Sequence, residues 1–191
     1  MRYSPEHKAE ARAKIVDAAG RAFRRNGYGG IGVDGLAKEA GVTSGAFYGH
    51  FKSKDAAFAE IALQGIEQLC SNILALRSDH GAGWVAAFVD LYVGDLRTCE
   101  LGESCALQSL TPDVMRADLK TRQAYEAAMM SVIGAVADGL DAAEPAERED
   151  QAWALLSMLS GGVTVARSMA SAERSASVAK ALRKAALALV A

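Results

Sequence analysis

Gly27-Tyr28-Gly29-Gly30-Ile31-Gly32-Val33-Asp34-Gly35-Leu36-Ala37-Lys38-Glu39-Ala40-Gly41-Val42-Thr43-Ser44-Gly45-Ala46-Phe47-Tyr48-Gly49-His50-Phe51-Lys52-Ser53-Lys54 parses into a glycine loop, two short helices and the start of a third. Val33 to Ala40 puts Leu36, Ala37 and Ala40 on one helical side, and Gly41-Val42 makes the turn. Thr43 or Ser44 can cap the second short helix, Gly45 to His50, because a short hydroxyl side chain accepts from the free N–H groups of a first turn. Phe47 and Phe51 stand one turn apart and must point inward, which turns Gly45, Ala46, Tyr48 and Gly49 outward. Two short helices joined at a glycine and braced by a preceding helix form the helix-turn-helix plan.

The bracing helix is legible just upstream. From about Pro5 to Asn26 the apolar positions Ala11, Ile15, Val16, Ala19, Ala22 and Phe23 make one amphipathic stripe, with Ser4-Pro5 as a start signal and Gly27 as a stop. Arg12, Lys14, Arg21, Arg24 and Arg25 occupy other faces, either as a solvated surface or near phosphate. Residues 1–54 hold ten Lys or Arg against five acids, a net +5, while 55–191 hold 11 against 18, a net −7. A polyanion-facing head on a body that repels polyanions fits that asymmetry.

The quoted segment resembles the N-terminal DNA-binding signature of TetR-family regulators. Ala40-Gly41-Val42, Phe47-Tyr48, His50-Phe51 and Lys52-Ser53-Lys54 keep the family's spacing, and with Ala22-Phe23 and Asn26-Gly27-Tyr28 the resemblance covers roughly residues 10–60. It implies that Ser44, Gly45 and Ala46 occupy base-edge positions and that Thr43, Tyr48, His50 and Lys54 hold phosphates. Two glycines and an alanine offer few hydrogen bonds, so direct readout is expected to be sparse, with thymine-methyl contact at Ala46 and DNA shape supplying specificity. Ile31-Gly32 stands where the family commonly has Thr or Ser, removing one phosphate-binding hydroxyl.

The rest of the chain is expected to be helical. Only three prolines occur in 191 residues, hydrophobic residues make up 51%, and Ala, Leu, Met, Arg and Glu recur. The expected architecture is all-α, with a helix-turn-helix head over 1–53 and a helical ligand-sensing and dimerisation body over 54–191. Helices are predicted from Lys54 to about Leu76 and at roughly 82–97, 103–110, 112–141, 145–170 and 173–189, with Pro112 and Pro145 as first-turn prolines. No leader or transmembrane segment is expected, which points to the cytoplasm.

In the body, Trp84, Phe88, Tyr92, Cys105, Tyr125 and Met129 are the candidate ligand-binding residues for a small apolar or aromatic effector, and each is also explained by core packing. Met130 belongs to the same aromatic and Met set. The resemblance implies dimerisation through the last two long helices, where Leu155, Leu159, Gly162, Val163, Ala166, Val178, Leu182 and Ala185 offer apolar or small faces; the same residues could bury against their own chain.

Three cysteines without CxxC spacing fit neither a zinc knuckle nor a disulfide framework, so no metal and no cofactor are expected. Gly30-Ile31-Gly32-Val33-Asp34-Gly35 satisfies a dinucleotide fingerprint but follows a helix instead of a strand, and Ser177-Val178-Ala179-Lys180 lacks the companions of a nucleophile motif. His7, His50 and His80 have no evident catalytic companions, and no enzyme is expected. The expected function is a homodimeric repressor, released from a pseudo-palindromic duplex operator by a small effector. The alternative is a redox- or electrophile-responsive repressor acting through Cys105.

Overall fold

The computed structural model describes residues 5–142 and 144–190, with the side chains of 5–8 excepted. The expected Ser4 cap lies outside the described residues, which fold into helices and no strands. Helix α1, Pro5–Asn26, stops where Gly27 turns to φ 71°. Helices α2, Val33–Glu39, and α3, Ser44–Tyr48, follow, joined through Gly41 at φ 67°, a left-handed backbone that a β-carbon would strain. Phe23, Leu36 and Phe47 are fully buried where the three helices meet.

Helix α4, Lys54–His80, is the spine of the molecule. Its buried stripe of Ala57, Phe58, Ile61, Ala62, Ile66, Leu69 and Ile73 recurs every three to four residues. The first turns belong to the head, because Phe58 packs edge-on against Phe23 at 5.4 Å and Tyr28 at 5.2 Å between ring centroids. A boundary between residues 53 and 54 therefore divides chain segments joined by a shared helix and core.

Around the rest of α4 pack α5, Trp84–Val93, α7, Ala106–Val114, and α8, Leu119–Ala137, while the short α6, Asp95–Thr98, follows α5 and lies against the helix Pro145–Ser168. Helix α9, Pro145–Ser168, covers α8, and α10, Ala172–Leu189, lies on α9 and α5. A helix predicted over 82–97 is broken at Gly94, whose backbone (φ −96°, ψ −94°) leaves the helical region.

Pro145 opens α9 as expected, but Pro112 does not open a helix: it sits near the end of α7. A proline there forfeits only its own N–H bond one turn before the helix stops. The real start signal lies further on, where the Asp118 carboxylate accepts from the Thr121 N–H at 2.7 Å and caps α8.

Candidate DNA-binding face and ligand crevice

Helix α3 is too short to stand alone, and three features fix it. Thr43, not Ser44, is its cap: the Thr43 hydroxyl accepts from the Ala46 N–H at 3.1 Å. Phe47 is fully buried against Phe51, with ring centroids 5.0 Å apart. Ser44 donates its hydroxyl to Asp34 at 2.5 Å, tying α3 back to α2. Gly45, Ala46, Tyr48 and Gly49 are all exposed, as the helical spacing requires, and Tyr48 keeps 54% of its surface. His50 is half-buried beside them.

Lys54 is already engaged. Its ammonium donates to the Tyr28 carbonyl at 2.6 Å and lies 4.1 Å from the centre of the Tyr28 ring, so it braces the loop to α4. The Tyr28 hydroxyl in turn donates to Asp55 at 2.5 Å, a bond that pushes the phenol up to about 12.

The arginines of α1 form a latch onto the body. Arg25 pairs with Glu39 and with Glu100, each at 2.9 Å; the Glu100 hydrogen bond, then that from Glu39, raises the guanidinium pKa, and Glu100 is lowered in turn. Arg24 donates Nε to the Gly102 carbonyl at 2.5 Å, and burial lowers its pKa against the opposing charges of Glu103 and Asp17. Arg21 pairs with Asp17 and approaches Glu103 at 4.0 Å. A β-carbon at Gly102 would crowd the latch, coming 2.7 Å from Glu100 Oε2 and 3.2 Å from the Arg21 carbonyl. A second tie runs from the Tyr28 N–H to the Asp113 carboxylate at 2.8 Å.

Arg12 grips Glu60 on α4 through two bonds of 2.5 and 2.6 Å. Much of the head's positive charge thus holds head to body, while Lys14, Lys38 and Lys52 are exposed and have no hydrogen bond or ion pair among the described residues. The sequence reading missed the latch; the acidic pair Glu100 and Glu103 around Gly102 was its only signal.

Between α1, α4, α5 and the start of α7 lies a cavity of about 350 Å³. Of the candidate ligand residues it gathers Phe88, Tyr92 and Cys105. Trp84 sits elsewhere, donating Nε1 to the Gly139 carbonyl at 2.9 Å. Tyr125 and Met129 are buried in the body, the Tyr125 hydroxyl 2.6 Å from that of Thr111, and Met130 is exposed.

The Tyr92 hydroxyl meets the Cys105 sulfur at 2.9 Å. Burial raises the pKa of both groups, and at Cys105 it outweighs the Tyr92 hydrogen bond and the Arg24 charge that pull the thiol down, so the thiolate is disfavoured. Gln108 Oε1, on the same helix as Thr111, is buried without a partner among the described residues.

The candidate dimer residues divide differently from expectation. Leu155, Leu159, Val163 and Ala166 fill the protomer's own core, and Leu182 packs so closely over Gly162 that a β-carbon there would meet it at 2.7 Å. Leu155, Leu159, Val163, Ala166 and Leu182 therefore offer little surface to a second copy, while Gly162 keeps part of its own. Val178 is half-buried, Ala185 is exposed, and Trp153 and Val165 remain open on α9.

A basic three-helix unit that exposes a short, capped helix beside a long connecting helix defines a helix-turn-helix protein. The sequence profile described as bacterial regulatory proteins, tetR family, matches residues 15–68. Over 60 residues it is 42% identical to the HTH-type transcriptional regulator AcrR of Shigella flexneri, a match covering 31% of this chain and 28% of that protein. Over 68 residues it is 35% identical to an HTH-type transcriptional repressor of Mycobacterium tuberculosis, covering 36% of each. The chain thus aligns with about a third of the length of these relatives. Across the whole length, the crystal structure of the reduced form of Escherichia coli NemR superposes with a TM-score of 0.79 at 18% identity, covering 95% of this chain and 97% of that one, a likeness of fold.

Proposed function

We propose that the protein is a DNA-binding transcriptional regulator that acts as a homodimer, represses from a pseudo-palindromic operator and is released by a small molecule. The observation that carries this reading is the outward row Gly45, Ala46, Tyr48 and Gly49 on a capped α3, inside a head that matches the family profile. Two such helices held about 34–36 Å apart would enter successive major grooves. Ser44, Gly45 and Ala46 would face base edges, and Thr43, Tyr48, His50 and Lys54 would meet phosphate, joined by Lys38 and Lys52, whose ammonium groups are free for the same role. The exposed side of α9, with Trp153 and Val165, and Ala185 on α10 would pair the two copies.

Such a protein needs no cofactor or metal and works in the cytoplasm; no described helix is long and apolar enough to cross a membrane. Nothing in the reading requires catalysis. The test is binding of the purified protein to the duplex upstream of its own gene, followed by fluorescence anisotropy. Affinity should fall steeply with salt, and Tyr48→Phe and Lys52→Ala should each weaken it, the lysine variant also flattening the salt dependence. Binding that ignores both changes, or a strictly monomeric protein, overturns the reading.

A further inference from the structure

The cavity beneath α1 differs from the hollow beside Tyr28 in how its polar groups are left. In the hollow of about 650 Å³ beside Tyr28, the carboxylates of Asp55, Asp113 and Asp118 each already accept a hydrogen bond. In the cavity beneath α1 they are not so spent. Gln64 has no hydrogen-bond partner among the described residues. Gln68 and Asn72, one and two turns further along α4, are paired only with each other, at 2.8 Å. Arg24 bonds to Gly102 through Nε alone, leaving its terminal nitrogens unbonded to described residues at the cavity wall.

Gly20 points the same way. A glycine inside a helix costs roughly 0.5–1 kcal/mol relative to alanine. Packing does not demand it, because a β-carbon at residue 20 would sit 3.4 Å from Arg24 Nη1 and 3.5 Å from Ile61, ordinary contact distances. Its effect is to keep space open between α1 and α4. The opposite wall is apolar, formed by Leu69, Phe88, Leu91 and Leu96.

We propose that this crevice between head and body, and not the interior of the body around Tyr125 and Met129, binds an uncharged amphipathic small molecule. Its apolar face rests on Phe88, Leu91 and Leu96, a carbonyl-type acceptor meets Arg24, and its polar edge meets the amide row of Gln64, Gln68 and Asn72. Asp17 and Glu103 on the rim offset the charges of Arg21 and Arg24, so the site has no net charge to offer an ion and suits an uncharged ligand. A volume of about 350 Å³ suits a ligand of one or two fused rings. An acceptor on the unbonded terminal nitrogens of Arg24 draws on the same guanidinium whose Nε holds the Gly102 carbonyl, and so bears on the latch that sets the head. This step rests on the regulator reading given above, because it supplies the differential contact by which an effector shifts the head.

The test titrates the full chain with Prodan, an uncharged naphthyl ketone whose emission moves to the blue on leaving water. Saturable, blue-shifted binding is expected, weakened at least about tenfold by Gly20→Leu, which fills the cavity, and several-fold by Gln64→Trp, which covers its mouth from an exposed position without touching the core. Tyr125→Phe and Met129→Leu should leave binding unchanged. No saturable binding, or binding lost in the Tyr125 or Met129 variant and kept in both crevice variants, overturns the proposal. Anisotropy of a labelled upstream duplex with the same proteins separates the two readings. The expected dye pattern without DNA binding removes the regulator and leaves the site, whereas DNA binding with dye insensitive to the crevice variants removes the site and leaves the regulator.

Discussion

Helices α3 and α9 are held in opposite ways. The five residues of α3 bury one side chain, Phe47, and depend on the Thr43 cap and the Ser44 to Asp34 bond. The 24 residues of α9 bury Ala152, Leu155, Leu156, Leu159, Val163 and Ala166 along one face. The anchoring of the proposed DNA-reading element is thus concentrated on a few contacts, and that of the body element is distributed over many. Concentration frees nearly every other α3 residue to face outward, at the cost of making the few anchors indispensable.

Phe47→Ala should break this contrast most visibly. Removing a fully buried phenylalanine costs about 3–5 kcal/mol, and here the loss falls on a helix with no second buried side chain. DNA binding should vanish while circular dichroism of the body helices persists. Leu155→Ala costs about 2–5 kcal/mol in the same terms, yet folded protein at low temperature should still bind DNA. If denaturant titration and anisotropy show the two variants losing DNA binding alike, concentration of anchors in the head is the wrong description.

Asp113→Ala comes next. It strips the acceptor from the Tyr28 N–H at the bend after α1, and an unsatisfied, partly buried donor costs about 1–3 kcal/mol. Hydrogen exchange should speed up at the end of α1 and in the 100–105 loop while α9 is unaffected. Uniform acceleration across both would show that head and body do not separate at this tie.

The head was legible because its signals are local. Gly27, Gly41, the cap at residue 43 and the Phe47–Phe51 spacing each act within one turn, so residue type and register were enough. The body was legible only as helices. Leu155, Leu159 and Leu182 are apolar residues that suit a partner's face as well as their own core, and only the fold buries the first two on α9, between α8 and α10, and sets Leu182 of α10 over Gly162 of α9. Pro112 misled because a proline is tolerated at either end of a helix. The latch could not be read: Arg24 and Gly102 lie 78 positions apart, and nothing local marks a carbonyl as an arginine's partner.

Thr43→Ala sharpens the contrast at finer scale. Loss of the α3 cap should cost about 1 kcal/mol and weaken DNA binding, with Thr43→Ser recovering most of both because the hydroxyl is what accepts from Ala46. Substituting the cap of α10, Ser171→Ala, costs a similar amount but leaves DNA affinity unchanged, since the Ser171 to Arg174 N–H bond of 3.3 Å supports no reading element. Equal effects on DNA affinity would mean that cap loss acts through global stability alone.

The smallest effect belongs to pH. The Arg25 hydrogen bond holds the Glu100 carboxyl below its ordinary range, helped by the Gly102 N–H and opposed by desolvation. A carboxylate whose folded pKa is depressed contributes stability that is fully present above its unfolded value of about 4.3 and is lost as pH falls through the lower folded value. The latch should therefore hold unchanged from pH 7 to about 5 and weaken only below that, and because both partners are open to water the change is modest. Comparing unfolding midpoints of the parent and Glu100→Gln across this range gives the check. The gap between them should close on acidification, while Asp90→Asn, which removes the exposed pair between α5 and α10, should show the same closure without altering hydrogen exchange in α1. A gap that widens as pH falls would reverse the sign and remove Glu100 from the latch.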